Sequence, residues 1–261
     1  MPVLSVDEHI AQLDRDGEVL ADAAERAGWD APVPGTDWVL RELVTHVGGV
    51  HRWATQIVTS AADSGDVPAG RAVGTGPADD ELLGWFRDGH GAVVDALRAA
   101  PDALECFTFL PAPSPRAFWA RRQAHETAVH RADAELAAGA TPTFDVAFAQ
   151  DGIAELLYGF AARKSNAIER AATIELHATD GGANWLITLG GERIVATPSQ
   201  NGAESGTDRA AQAHATATAD VVVTGTSGEL YLWLWNRPSA AAVTGDESVA
   251  ELWRTVRVRW G

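Results

Sequence analysis

The sequence predicts an α+β protein, with a four-helix bundle first and a smaller α/β domain after it. Three observations carry this. Four segments before residue 139 space their apolar residues at the helical period. Beyond Thr141-Pro142-Thr143 the period shifts toward the alternation of half-buried strands. The chain has 261 residues, enough for one large or two ordinary domains. The expected division is 1–142 and 143–261.

The elements follow in order. Ser5 is the expected cap of a first helix running to Ala27, with Glu8 as its capping-box partner. Ile10, Leu13, Leu20 and Ala24 supply its apolar stripe. Thr36 is the expected cap of a second helix through Val58. A loop rich in Gly, Ala, Asp and Pro spans Ala61 to Pro77. The third helix is expected from Ala78 to Ala99, with Leu82, Leu83, Phe86, Val93, Val94 and Leu97 inward, and Pro101 ends it. Pro111, Pro113 and Pro115 lead into the fourth, which has no Gly or Pro from Ala117 to Ala138 and a Gly at 139 for its C-terminal cap.

Beyond the domain boundary a fifth helix is expected near Val146 to Phe160. Thr173–Ala178 and Trp185–Leu189 have strand composition, with Arg193–Thr197 pairing to the latter through a Gly190-Gly191 turn. Residues 198–214 read as loop and Ala217–Thr224 as strand. Gly228–Trp235 and Val249–Trp253 read as helices, with Val256–Trp260 as a further strand.

The fourth helix carries the most informative stretch, Arg121-Arg122-Gln123-Ala124-His125-Glu126-Thr127-Ala128-Val129-His130-Arg131-Ala132-Asp133. Glu126 and His130 are four apart and differ by about 40° around a helix. They can hold one divalent cation from a single rigid element. The same spacing is also that of an exposed polar pair with no metal. His125 lies roughly 140° from His130 and cannot easily share its ion, so the H-E-x-x-H pattern is not met. Asp133, one turn beyond His130, is placed to fix its tautomer. A third ligand must come from another element, and His46 is the candidate. Bundle cores commonly place ligands on facing helices. Three ligands and an open position are the layout of a catalytic zinc.

Taken together, Trp38-Val39-Leu40-Arg41-Glu42-Leu43-Val44-Thr45-His46, Phe118-Trp119-Ala120-Arg121-Arg122 and His125–Asp133 resemble the mycothiol-dependent maleylpyruvate isomerase family. Asp151–Leu157, Leu176–Asp180, Ala219–Val221 and Leu230–Pro238 are similar to its C-terminal domain, so the resemblance spans nearly the whole chain. It implies a DinB-like bundle and a zinc held by His46, Glu126 and His130. It also implies mycothiol as thiol cosubstrate and a role in activity for Arg237, whose planar fork suits a carboxylate. The other role open to Arg237 is that of a surface Arg at a helix end.

The expected chemistry is attack of a metal-bound thiolate on a small electrophile. It gives either cis–trans isomerisation of a maleylpyruvate-like double bond or thiol S-transfer. A zinc hydrolase using bound water, and a non-catalytic metal- or thiol-binding module, are the rival classes.

Composition narrows the field. Net charge is −16 with Lys164 the only lysine, which disfavours nucleic acid as a partner. No apolar run is long enough for a membrane span, and the N-terminus lacks signal-peptide features. The single cysteine, Cys106, excludes an internal disulfide framework and suits the cytoplasm; it is expected to be an inert buried thiol. A monomer or small homo-oligomer is expected. Trp53 and Trp119 are candidate pocket residues, with His51 and His90 as further ones. His177, in a strand-like segment, is expected to be structural.

Overall fold

The computed structural model describes residues 4–63, 76–199 and 219–257. The chain divides into two compact units, Val3–Thr143 and Phe144–Trp260. The first holds four long helices and the second a mixed sheet with helices, so the fold class is α+β.

In the first unit, α1 (Val6–Ala27) begins as its sequence dictates. The Ser5 hydroxyl accepts from the Glu8 amide at 3.2 Å, and the Glu8 carboxylate accepts from the Ser5 amide at 2.7 Å. Helix α2 (Leu40–Ser60) starts later than its sequence suggests. Thr36 spends its hydroxyl on a turn, donating to the Val33 carbonyl and accepting from the Trp38 amide. The first turn of α2 is instead closed by Glu42, whose carboxylate accepts from the Val39 amide at 2.9 Å. Helix α3 (Asp79–Ala99) follows, then α4 (Pro115–Ala137), capped by Ser114 with Pro in the first position.

Helix α1 packs along α4 and α2 along α3. The core between them contains Leu13, Leu20, Leu43, Val47, Phe86, Leu97 and Trp119, all fully buried. Each such side chain contributes roughly 1.5–3 kcal/mol by leaving water. Two glycines permit close approach of helices. A Cβ at Gly17 would lie 2.2 Å from His90 Nε2, and one at Gly48 would lie 2.3 Å from the Trp85 ring. Helix α4 is exceptional in burying Arg122, His125, His130, Arg131 and Asp133. Buried charges need partners, and Arg131 finds Asp16 at 3.3 Å and also Glu135.

The second unit opens with α5 (Val146–Glu155), capped by Asp145. The expected straight helix to Phe160 instead widens into a π-helical turn over Leu156–Ala161. A short 3-10 turn, Lys164–Asn166, leads to the sheet. Its strands are β1 (Ile168–Ala178), β2 (Asn184–Gly191), β3 (Val195–Pro198), β4 (Val221–Gly225) and β5 (Ala242–Gly245), in the order β3-β2-β1-β4-β5. Among the described residues only the β1–β4 pair is parallel. Ile174 and Leu176 of β1 are fully buried, as period 2 requires, while Thr173, Glu175 and His177 alternate with them. Helix α6 (Ser227–Leu234) packs on α5, and α7 (Glu247–Arg254) on β1.

Gly190 and Gly191 do not form the β2–β3 turn. They lie inside β2, where Gly191 pairs with Ile168, and the chain reverses over 192–194. A Cβ at Gly190 would lie 2.3 Å from the Ala171 backbone, so glycine serves close strand approach there. The fourth strand begins at Val221, with 217–218 outside the described residues. Most of the expected loops at 61–77 and 198–214 also fall outside. Val256 and Arg257 join no strand, and 258–260 are not described. Among the described residues no helix is long and apolar enough to cross a membrane.

Candidate metal centre

His46 on α2 and Glu126 and His130 on α4 come together. One ligand atom from each lies within 4.8 Å of the other two. Glu126 Oε1 is the meeting point, 3.2 Å from His46 Nε2 and 3.5 Å from His130 Nε2. Ligand bonds of about 2.0–2.1 Å in a tetrahedron would place neighbouring ligand atoms roughly 3.3–3.4 Å apart. Donor types and separations thus fit a zinc-type ion. The side chains are 34%, 22% and 9% exposed for His46, Glu126 and His130, so an exogenous ligand can reach the cluster from the His46 side.

The surroundings set protonation. His130 Nδ1 lies 2.9 Å from Asp133 Oδ2, and Asp133 is fully buried. In the neutral ring Nδ1–H donates to that carboxylate and leaves the Nε2 lone pair toward Glu126. Burial alone would push the His130 imidazole down, but the Asp133 and Glu126 carboxylates together lift it to about 9. A metal at this cluster would take the Nε2 lone pair and displace any proton held there. Burial pushes the Glu126 carboxyl up. Hydrogen bonds from His130 and His46 and the charge of Arg122 outweigh that and hold it well below the usual carboxylate range.

Two further side chains take part in the cluster. Trp38, just before α2, sets its ring 5.0 Å from that of His46 and stacks over His130 at 6.0 Å. No local spacing ties it to the ligands, because the contact arises from helix packing. Arg122 Nη2 donates to Glu126 Oε2 at 3.2 Å. The i,i+4 spacing of 122 and 126 is the signal available for it.

The other candidates fall elsewhere. His125 turns toward α1 and meets the His9 ring edge-on at 5.9 Å. His51 is fully buried, with Nε2 2.8 Å from the Thr127 hydroxyl and its ring 5.6 Å from that of His90. His90 Nε2 donates to the Leu13 carbonyl. Trp53 and Trp119 belong to an aromatic cluster with Phe109 and Phe118. Cys106 is half-buried, and desolvation raises its thiol. His177 Nε2 lies 3.1 Å from Glu175 on the same strand.

Arg237 belongs to the second unit. Asn236, at φ 57°, ends α6 in the left-handed conformation. The Arg237 amide then donates to the Leu232 carbonyl and the Asn236 amide to that of Trp233. The guanidinium Nη1 donates to the Trp235 carbonyl at 3.1 Å, a helix-end contact.

A helical bundle bearing a His–Glu–His cluster, followed by a distinct α/β unit, defines the class of protein. Residues 9–135 match the mycothiol maleylpyruvate isomerase N-terminal domain, and residues 147–252 match the MDMPI C-terminal domain. The chain belongs to the mycothiol-dependent maleylpyruvate isomerase family, a family of enzymes. The crystal structure of a mycothiol-dependent maleylpyruvate isomerase is similar in fold, with a TM-score of 0.61 at 14% identity over 92% of this chain and 93% of that one. A histidine-to-alanine mutant of a mycothiol-dependent maleylpyruvate isomerase aligns at 0.58 and 14% identity, covering 88% of each chain. No curated protein matches in sequence.

Proposed function

We propose that this chain is a zinc- and mycothiol-dependent enzyme acting on a small electrophile. Residues 1–142 are assigned to a DinB-like metal-binding bundle and 143–261 to the α/β C-terminal domain of the family. The observation that carries the reading is the convergence of His46, Glu126 and His130 on one point that solvent can reach. Zinc in that set supplies positive charge that keeps a thiol ionised near neutral pH, below the about 8.5 of a free cysteine.

The chain's own residues prepare the place. Asp133 fixes the His130 tautomer, Trp38 covers one side of both imidazoles, and Glu126 supplies a carboxylate oxygen between them. The mycothiol thiolate adds to an electrophilic carbon. In the isomerase outcome sulfur adds to a cis double bond, the new single bond rotates, and loss of the thiolate gives the trans product. In the transferase outcome the carbon left with the electron pair by sulfur addition takes a proton from water, and the adduct is released. Arg237 binds a carboxylate of substrate or thiol through its fork. The cytoplasm, where low-molecular-weight thiols stay reduced, is the assigned compartment, and neither nucleic acid nor membrane is a partner.

The test is metal analysis of the purified chain with an electrophile panel, with and without mycothiol. Stoichiometric zinc and thiol-dependent turnover are expected. Full-rate turnover with zinc and no thiol would overturn the thiol mechanism in favour of a hydrolase. Arg237→Ala is expected to raise KM for an acidic substrate or for mycothiol by about tenfold or more, the weight of a charged hydrogen bond, with metal content unchanged. Normal kinetics in that variant would overturn the role assigned to Arg237.

A further inference from the structure

We propose that Arg122 is the positioning residue that confines Glu126 to ligation through a single oxygen, an inference that rests on the metal reading above. The two oxygens of Glu126 have separate employments. Oε1 faces His46 Nε2 and His130 Nε2 at 3.2 and 3.5 Å. Oε2 accepts from Arg122 at 3.2 Å. A carboxylate can bind an ion through one or both of its oxygens. Occupation of Oε2 by a charge-assisted hydrogen bond favours the first.

Arg122 is suited to this. It sits one turn before Glu126 on the same helix and is 3% exposed, so the donor side of the bond is shielded from water. Its guanidinium stays charged at every working pH. Position 122 also completes a stripe. Arg122, Glu126, His130 and Asp133 succeed one another at spacings of four, four and three along α4, which keeps them on one helical face. The outer two hold the inner two, Arg122 by Oε2 of the carboxylate and Asp133 by Nδ1 of the imidazole. One rigid helix thus supplies two ligands and both of their orienting partners, and His46 arrives from α2.

The experiment titrates Co(II) into the full-length chain and its Arg122→Met and Arg122→Lys variants. Affinity is measured against a competing chelator, and visible absorption reports coordination, since four-coordinate Co(II) absorbs more strongly than five- or six-coordinate Co(II). Arg122→Met is expected to weaken binding by about 10- to 100-fold, as loss of such an outer partner typically does. It should also lower the visible absorption as Oε2 becomes a second ligand atom. Arg122→Lys keeps the charge without the fork and should fall between. Circular dichroism checks that the helices persist; if Arg122→Met does not fold, Arg122→Lys is judged by the same two readouts against the parent. A parental spectrum in the folded variant, or affinity unchanged or tighter, overturns the role of Arg122 alone. A parent chain that takes up no Co(II) overturns the metal reading and this inference together.

Discussion

At the scale of the residue, neighbouring histidines on one helix have different fates because of 100° steps. His130 turns toward His46 and Glu126, while His125 turns toward His9. Replacing His46 or His130 with alanine is therefore expected to abolish stoichiometric zinc, whereas His125→Ala retains it; metal analysis after gel filtration checks this. Retention by His130→Ala and loss by His125→Ala would assign the ion to the wrong helix face. His51 gives a second residue-scale prediction. Burial pushes its imidazole well below 6.5, with the neighbouring His90 acting in the same direction. The unfolded chain protonates His51 near 6.5 while the folded chain keeps it neutral, so unfolding takes up a proton. Stability from this group is complete above that pH and declines as pH falls toward the lowered folded value. The slope it adds is at most about 1.4 kcal/mol per pH unit. Denaturant unfolding between about pH 6.5 and 5 should be less steep in pH for His51→Gln than for the parent. Equal slopes would mean that His51 is not the group taking up the proton.

At the scale of the element, what is legible depends on how local the cause is. The α1 cap was legible because Ser5 and Glu8 satisfy each other within one turn. The start of α2 was not, because Thr36 caps nothing and serves a turn with Val33 and Trp38. The Gly190-Gly191 pair has the composition of a hairpin turn, but continued pairing with β1 keeps it in the strand. In the site, the α4 stripe follows from helical period alone. The approach of His46 and the stacking of Trp38 depend on how α2 lies beside α4, which no local pattern encodes. Close helix approach yields its own prediction. His90 is held over Gly17 by its bond to the Leu13 carbonyl, so the ring cannot swing aside freely. Gly17→Ala gains up to about 1 kcal/mol in helix propensity but overpacks a filled site, at a cost of typically 1–3 kcal/mol. A net loss of about 1 kcal/mol is expected from chemical denaturation, and a gain in stability would mean that α1 and α3 are not held this close.

At the scale of the whole molecule, a metal centre built on a bundle is set apart from one that builds its own fold. A zinc finger lacks a core without its ion. Here the first unit buries Leu13, Leu20, Leu40, Leu43, Ile57, Leu82, Phe86, Leu97 and Trp119 completely, and each is worth roughly 1.5–3 kcal/mol in transfer from water. His46, Glu126 and His130 are not among these apolar side chains. Glu126 also contacts both imidazoles, and His130 contacts Asp133, through the bundle's own side chains. Removing metal should therefore leave the helices and their cooperative unfolding intact. What is lost is binding linkage alone, about 2.7 kcal/mol when free metal stands at 100 times its Kd. Thermal unfolding followed by circular dichroism, with zinc and then with excess chelator, checks this. The expected result is an unchanged helical signal at low temperature and a lower but still sharp Tm in chelator. Collapse of the helical signal, or a broad non-cooperative melt, would make the ion a structural one and argue against an open catalytic position.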